Sequence, residues 1–448
     1  MAADNNLFRL APALTRCFIC VMICVGGWMQ ETGAAEFTYS LGYRAEYSDN
    51  IYRIPDEQEV QSDLINSILA GFTYLENTST FNARILGSVT YQDYYNKTFE
   101  NQTNYWLDAY GEYFFVPQVV SWVAADGFRK VQVDPLQPDT PTNRQDSNVF
   151  VTGPNVYLRF GPVDTLTIEA RYGRSWVEDV DIDSERDFFA TRWAHRLSAR
   201  STLSLNYEFL DVDYENSTLN TDFLRHNFFI RANVHSARNI YTLDLGRTRI
   251  EPDGDEPISN WLVRLDSTWQ ASSISSLGIH YGREYSDTAS DLIPTGVIEQ
   301  IGSGGIIPPL GTDVVTGELY YTERVELIYA RRGNTFPWSA RVFNRRIDYE
   351  TSPDDRQEKG SLIDVRYVYS NTLTFQVSSS YTVLEYEQPV RDDRDAIMAV
   401  ALIYRAGPNL TAGLDLRRYL RKSTDSSQEY TDDRLAITIN YATRPAAH

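Results

Sequence analysis

Cysteine is nearly absent from this chain of 448 residues: three occur, Cys17, Cys20 and Cys24, and none follows them. A disulfide framework and thiol catalysis are thereby excluded for the rest of the chain. Histidine is scarce too, with His195, His226, His235, His280 and His448 making five. No two of them have zinc-ligand spacing, and no serine is paired with one as a barrel-embedded acyl hydrolase requires. There is no phosphate-binding glycine loop either. No catalytic set, metal centre or cofactor is therefore expected. Long apolar runs are also missing. The mean hydropathy is -0.39, and nothing beyond Trp28 approaches the roughly 20 apolar residues of a spanning helix. Excess positive charge is lacking as well: 41 basic against 61 acidic residues leave a net charge of -20. That argues against nucleic acid as a partner, which would need a basic footprint.

The first 35 residues read as an export signal rather than as fold. Arg9 and Arg16 form a basic region, Cys17–Trp28 an apolar core, and Gly33 and Ala35 the small residues before a cut at Glu36. Twelve apolar residues are too few to span a bilayer. The domain expected is thus residues 36–448, one unit with no linker dividing it.

What the chain does have is a rhythm. Leu203, Leu205, Tyr207 and Phe209 fall on one parity, and Ser204, Asn206 and Glu208 on the other. The same alternation recurs at Leu373/Phe375/Val377/Tyr381/Val383 and at Leu435/Ile437/Ile439/Tyr441. A period of two is the signature of a strand with two different faces. Twenty candidate strands follow from Glu36, the first at 37–47 and the last at 432–442. Tight connections (Val116–Pro117, Gly161–Asp164, Ser198–Ser201) alternate with longer ones (Ser48–Asp63, Val131–Ser147, Asp287–Thr316, Tyr349–Gly360). The tyrosine load, 30 residues with 8 tryptophans, suits the aromatic girdles of a membrane barrel.

The fold expected is all-β: a transmembrane antiparallel up-and-down barrel of about 20 strands, a miscounted hairpin making it eighteen. Short turns lie on the periplasmic side and long acidic loops outside. Its surroundings are outer-membrane lipids and lipopolysaccharide, and its insertion requires the barrel-assembly machinery. The C-terminal strand ends on Tyr441, but Ala442–His448 follow that aromatic.

If the apolar parity faces lipid, several strands turn charge inward. The candidates for the lumen lining are Glu169, Arg171, Arg225, Arg231, Arg264, Asp266, Arg324, Glu326, Arg341, Arg345, Asp364, Arg366, Asp415 and Arg417, with Asp108 and Glu112 beside them. Cationic side chains facing lipid at the midplane would cost about 2–4 kcal/mol each. Two readings of this mixed lining stay open: compensated charge for a hydrated polymer, or ion pairs that stiffen or fill the wall. The acidic loops, such as Glu178–Asp187, can attract divalent ions but match no calcium-loop spacing. The long Asp287–Thr316 loop, with Gly302–Gly305 at its centre, is either an inward constriction or a surface segment.

The opening hairpin reads Tyr43-Arg44-Ala45-Glu46-Tyr47-Ser48-Asp49-Asn50-Ile51-Tyr52-Arg53. With the aromatic hairpins that follow, it resembles the outer-membrane beta-barrel family found with exopolysaccharide biosynthesis and PEP-CTERM systems of Gram-negative bacteria. The resemblance implies a non-enzymatic role in exopolysaccharide export, as a conduit working with periplasmic polysaccharide-export components. A general or substrate-specific porin and a structural or adhesive barrel with a filled lumen are the alternatives.

Overall fold

The computed structural model describes residues 35–216, 220–287, 289–290, 318–350, 352–353 and 355–443. The expected export segment and most of the Asp287–Thr316 loop, including Gly302–Gly305, lie outside the described residues. What is described is a closed barrel of twenty antiparallel strands, β1 (Ala35–Ser48) to β20 (Tyr430–Ala442), each paired with its sequence neighbours. The barrel shuts where β20 pairs with β1, from Ser40↔Ala442 to Ser48↔Arg434. Closure leaves no unpaired edge, the condition for strands to cross hydrocarbon. No helix among the described residues is long and apolar enough to cross a membrane.

Side-chain alternation sets the two faces. On β9 (Ser201–Tyr214), Leu203 and Leu205 are exposed on the outside, whereas Ser204, Asn206 and Glu208 are buried inside. The outer apolar run of β9 stops at Phe209, and Asp211 and Asp213 follow on the same parity. The strands therefore project past the apolar belt at the end that carries the longer loops. Lengths of 12 to 17 residues reflect this projection, exceeding the roughly 9–11 needed to cross. Connections at the other end are tight: β8 (Ser184–Ser198) and β9 join across a Ser198↔Ser201 pair, and Gly161 takes φ +76° between β6 (Arg144–Phe160) and β7 (Asp164–Val177). We call the two ends the loop end and the turn end.

Two boundaries differ from expectation for one physical reason. The long connection expected at Tyr349–Gly360 ends early: its last five residues belong to β16 (Arg356–Val368). Arg356 Nε donates to Glu358 Oε1 at 2.8 Å and both side chains are buried, so residues that read as a polar loop are inner-wall strand. Likewise Ser184–Asp187 of the acidic Glu178–Asp187 segment belongs to β8. Burial inside a lumen, unlike burial in a core, does not require apolar residues.

The wall also contains close approaches that only glycine permits, the tightest at Gly153. A Cβ on Gly153 of β6 would stand 2.0 Å from the Ala170 carbonyl oxygen of β7. Gly153→Ala is expected to cost more than the about 1–3 kcal/mol of ordinary overpacking. The measurement is the fraction of protein with heat-modifiable gel migration, which should fall sharply.

Candidate functional site: the constricted lumen

Parity places all fourteen expected lining residues on the inner face, and Asp108 and Glu112 with them. They do not form one site. Most are tied into ion pairs along the wall. Arg231 donates to Asp244 through Nε and Nη2, both at 2.7 Å, and Arg264 approaches the same carboxylate at 3.5 Å. Arg264 Nη2 also meets Glu284 at 2.6 Å. On β7, Arg171 and Glu169 are 3.7 Å apart, and Arg192 reaches Glu169 at 3.9 Å. Across the barrel, Arg341 pairs with Glu326 at 2.7 Å, Arg366 with Asp364 at 3.3 Å, and Arg417 with Asp415 at 3.3 Å. His280 Nδ1 lies 2.6 Å from Asp266 Oδ1. Arg225 Nη1 donates to the Tyr285 carbonyl at 3.1 Å. Arg324 and Arg345 face each other as the Arg324↔Arg345 pair of β14 (Leu319–Arg331) and β15 (Trp338–Tyr349).

The wall thus carries both signs in matched positions rather than a ring of one sign. Toward the turn end the pairs are wetter: the Arg366 side chain keeps 45 % of its exposure, against 6 % for Arg264.

Toward the loop end the lumen is crossed by the chain itself, which alternation could not reveal. The first crossing is the connection between β5 (Val120–Gln132) and β6. Its Pro135 carbonyl accepts from Tyr386 Oη of β17 (Leu373–Tyr386) at 3.2 Å, far around the barrel. Its Asp139 carbonyl accepts from Arg53 Nη1 at 2.8 Å. Arg53 in turn pairs with Asp432 at 3.3 Å and lies over the Tyr419 ring at 4.3 Å. Burial works against ionisation of Asp139. The Arg144 guanidinium (2.5 and 2.6 Å) and the nearby Arg53 and Arg434 nonetheless hold its carboxyl below the ordinary range. A carboxylate kept charged keeps this loop anchored.

The second crossing is the tip of the hairpin β13 (Ser275–Asp287) and β14. β12 (Ile258–Gln270) pairs with β13 only as far as Val263↔Arg283, whereas β13 and β14 stay paired to Asp287↔Leu319. The tip therefore parts from β12 and folds inward, while β14 stays paired with β15 up to Tyr320↔Tyr349. Tyr285 and Leu319, outward by parity, pack there with the inward Leu210, Val212, Phe223 and Ile250. Asp287 meets Arg186 of β8 at 2.6 Å, with side chains 1 % and 4 % exposed. A neighbouring inward cluster joins Val123, Val149 and Val151 to Ile182 of the β7–β8 loop. Ala289, just beyond the hairpin tip, packs against the same cluster.

Two kinds of position escaped sequence reasoning. Arg53, Arg186, Asp244 and Asp287 carry well-buried pairs but sit in loops or as lone charges, so no repeated pattern marks them. Asp126 contradicts the expectation that charge turns inward: it lies on the outer parity of β5, where Asn148 Nδ2 donates to it at 2.8 Å. The histidines on apolar parity are bonded, His195 Nδ1 to Asp164 at 2.8 Å and His226 Nδ1 to Tyr207 Oη at 2.9 Å.

At the loop end, Asp183 titrates away from its ordinary range. Burial pushes its carboxyl up to about 6; the Val177 N–H opposes this, and the Glu215 and Asp181 carboxylates add to it. A folded-state pKa above the unfolded 3.8 means the stabilisation is full below about 4 and is lost as pH rises through about 6. Protection of the β7–β8 loop amides, taken as the exchange rate relative to the intrinsic rate at the same pH, should accordingly be greater at pH 4.5 than at pH 7.5. Asp183→Asn should remove the difference.

No group of three or more His, Cys, Asp or Glu among the described residues is arranged to hold a metal ion. No protein-family model matches the chain, and no curated protein does. Among solved structures, the siderophore receptor PirA from Pseudomonas aeruginosa is similar at 11% identity and a TM-score of 0.44, over 92% of this chain and 81% of that one. The FrpB iron transporter from Neisseria meningitidis is similar at 11% identity and a TM-score of 0.47, over 91% and 83%. The fold itself, a closed barrel of twenty antiparallel strands with an apolar outer belt, is that of a large β-barrel of the outer-membrane type.

Proposed function

We propose that this protein sits in the bacterial outer membrane, exported by a cleaved signal, and takes part in exopolysaccharide export or surface assembly as a conduit for the polymer. The observation that carries the reading is the matched charge of the inner wall. Arg231–Asp244, Arg341–Glu326 and Arg417–Asp415 neutralise one another in place. A hydrated polymer meets hydrogen-bonding groups there but no net electrostatic barrier, whereas a single-sign ring would filter ions. The resemblance of the opening hairpin supplies the choice of polymer. Periplasmic export components would dock on the turn end.

Deleting the gene should leave polymer trapped inside the cell. Unchanged surface polysaccharide would overturn the proposal, and steady conductance with free passage of small solutes would favour a porin instead. One observation favours a filled, structural barrel: the inward packing of Tyr285, Leu319 and Ile182 at the loop end. In the conduit reading that packing is the closed state of a gate.

A further inference from the structure

The outer wall holds a second shaped surface, at the place where β6 breaks the rules of a central strand. Pro154 removes a ladder donor and Gly153 offers no side chain to pack. Pairing with β7 lapses between Thr152↔Tyr172 and Asn155↔Glu169. Arg171 compensates from inside: its Nη1 donates to the Pro154 carbonyl at 2.8 Å and the Ala170 carbonyl at 2.9 Å. On the outer face this leaves a dent of about 400 Å³. Thr152, Pro154 and Ala170 form its floor, between Trp122 and Tyr172 on one side and Phe189 and Phe209 on the other.

The floor and near wall have no free polar group to offer a polar ligand. Trp122 Nε1 donates to Thr152 Oγ1 at 2.8 Å, and Thr152 Oγ1 donates to the Val123 carbonyl at 2.9 Å. Local preferences broken together, with a buried arginine in compensation, are expected where function overrides them. The dent lies within the apolar outer belt, beside Leu203 and Leu205, so hydrocarbon is what covers it.

We propose that this dent binds one acyl chain of a phospholipid from the turn-end, periplasmic leaflet. The reading rests on the membrane location proposed above. The choice of leaflet follows from charge. Asp187 lines the loop-end rim, and Asp211 and Asp213 project outward on the next strand, so lipid phosphates are repelled from that side. Beyond the dent toward the turn end, β8 instead exposes Trp193 and His195, amphipathic rings of the kind that sit among headgroups, and both cover the Asp164 carboxylate there with ring-nitrogen hydrogen bonds.

The test is native mass spectrometry of the barrel purified from outer membranes in mild detergent. The wild type should carry a phospholipid. Ala170→Phe, which fills the dent from its floor, should lower the retained fraction about tenfold, the change that two lost methylene contacts would give. Heat-modifiable migration checks that the barrel is intact, and Trp122→Ala, which removes a wall, gives an independent loss should Ala170→Phe fail to fold. Equal retention by a folded variant, no lipid on the wild type, or lipopolysaccharide in its place would each overturn the proposal. An intact barrel that keeps its lipid in both variants refutes the groove without touching the conduit reading. Absence of heat-modifiable protein from outer membranes refutes the location itself.

Discussion

Arg186→Ala is expected to open the lumen. Arg186 and Asp287 are 2.6 Å apart and almost wholly buried, so deleting the guanidinium leaves the carboxylate with only Ser290 and the charge of Arg225 to compensate it under the folded-in tip of β13–β14. Breaking a buried pair by removing one partner costs about 3–5 kcal/mol. If that energy holds the tip inward, the open population should rise by roughly 10²- to 4 × 10³-fold. Planar-bilayer recordings would show it as sustained openings in place of a closed baseline. The double change Arg186→Met with Asp287→Leu should close the lumen again, because replacing both charges by apolar groups of similar volume is close to neutral. A closed record for Arg186→Ala would mean that Tyr285 and Leu319 hold the tip by packing alone. The filled-barrel reading would then stand.

Asp244→Ala should give the largest loss of stability on the inner wall. Its carboxylate is fully buried, holds Arg231 in a two-bond fork and faces Arg264 at 3.5 Å. Removing it leaves two guanidiniums side by side, both also close to the Phe229 ring at 5.5 Å. A loss of about 3–5 kcal/mol follows from the buried-pair estimate. The urea midpoint of the barrel in lipid should fall accordingly, and Asp244→Asn, which keeps the hydrogen-bond acceptor, should lose less. An unchanged midpoint would show that lumen water solvates both arginines.

How far these effects could be foreseen differs by residue. Glu169 and Arg171, or Asp415 and Arg417, stand two apart on one strand, so parity alone turned both inward. Their pairing was legible for the same reason, since i and i+2 share a face. Arg186 and Asp287 are a hundred positions apart on β8 and β13, and nothing local in either segment announces the other. The tip of β13–β14 defeats parity outright. Tyr285 and Leu319 are outward by alternation and buried in fact, because the hairpin parts from β12 at Arg283. Asp126 is the opposite case: a carboxylate that lies outward by register, against the general preference for inward charge, and is held by Asn148.

Alternation by itself determined that the chain makes strands, about how many, and which face is apolar. These are properties of each strand and its neighbours, and a period of two carries them without knowledge of the rest. The three-dimensional structure decided what the lumen is. Whether a loop crosses it, where a hairpin leaves the wall, and which lone charge meets which depend on distances across the barrel. Residues that meet there can be separated by hundreds of positions, as Arg53 and Asp432 or Pro135 and Tyr386 are. No periodicity reports contacts of that range, so the sequence specifies the wall strand by strand and its closure only through the fold.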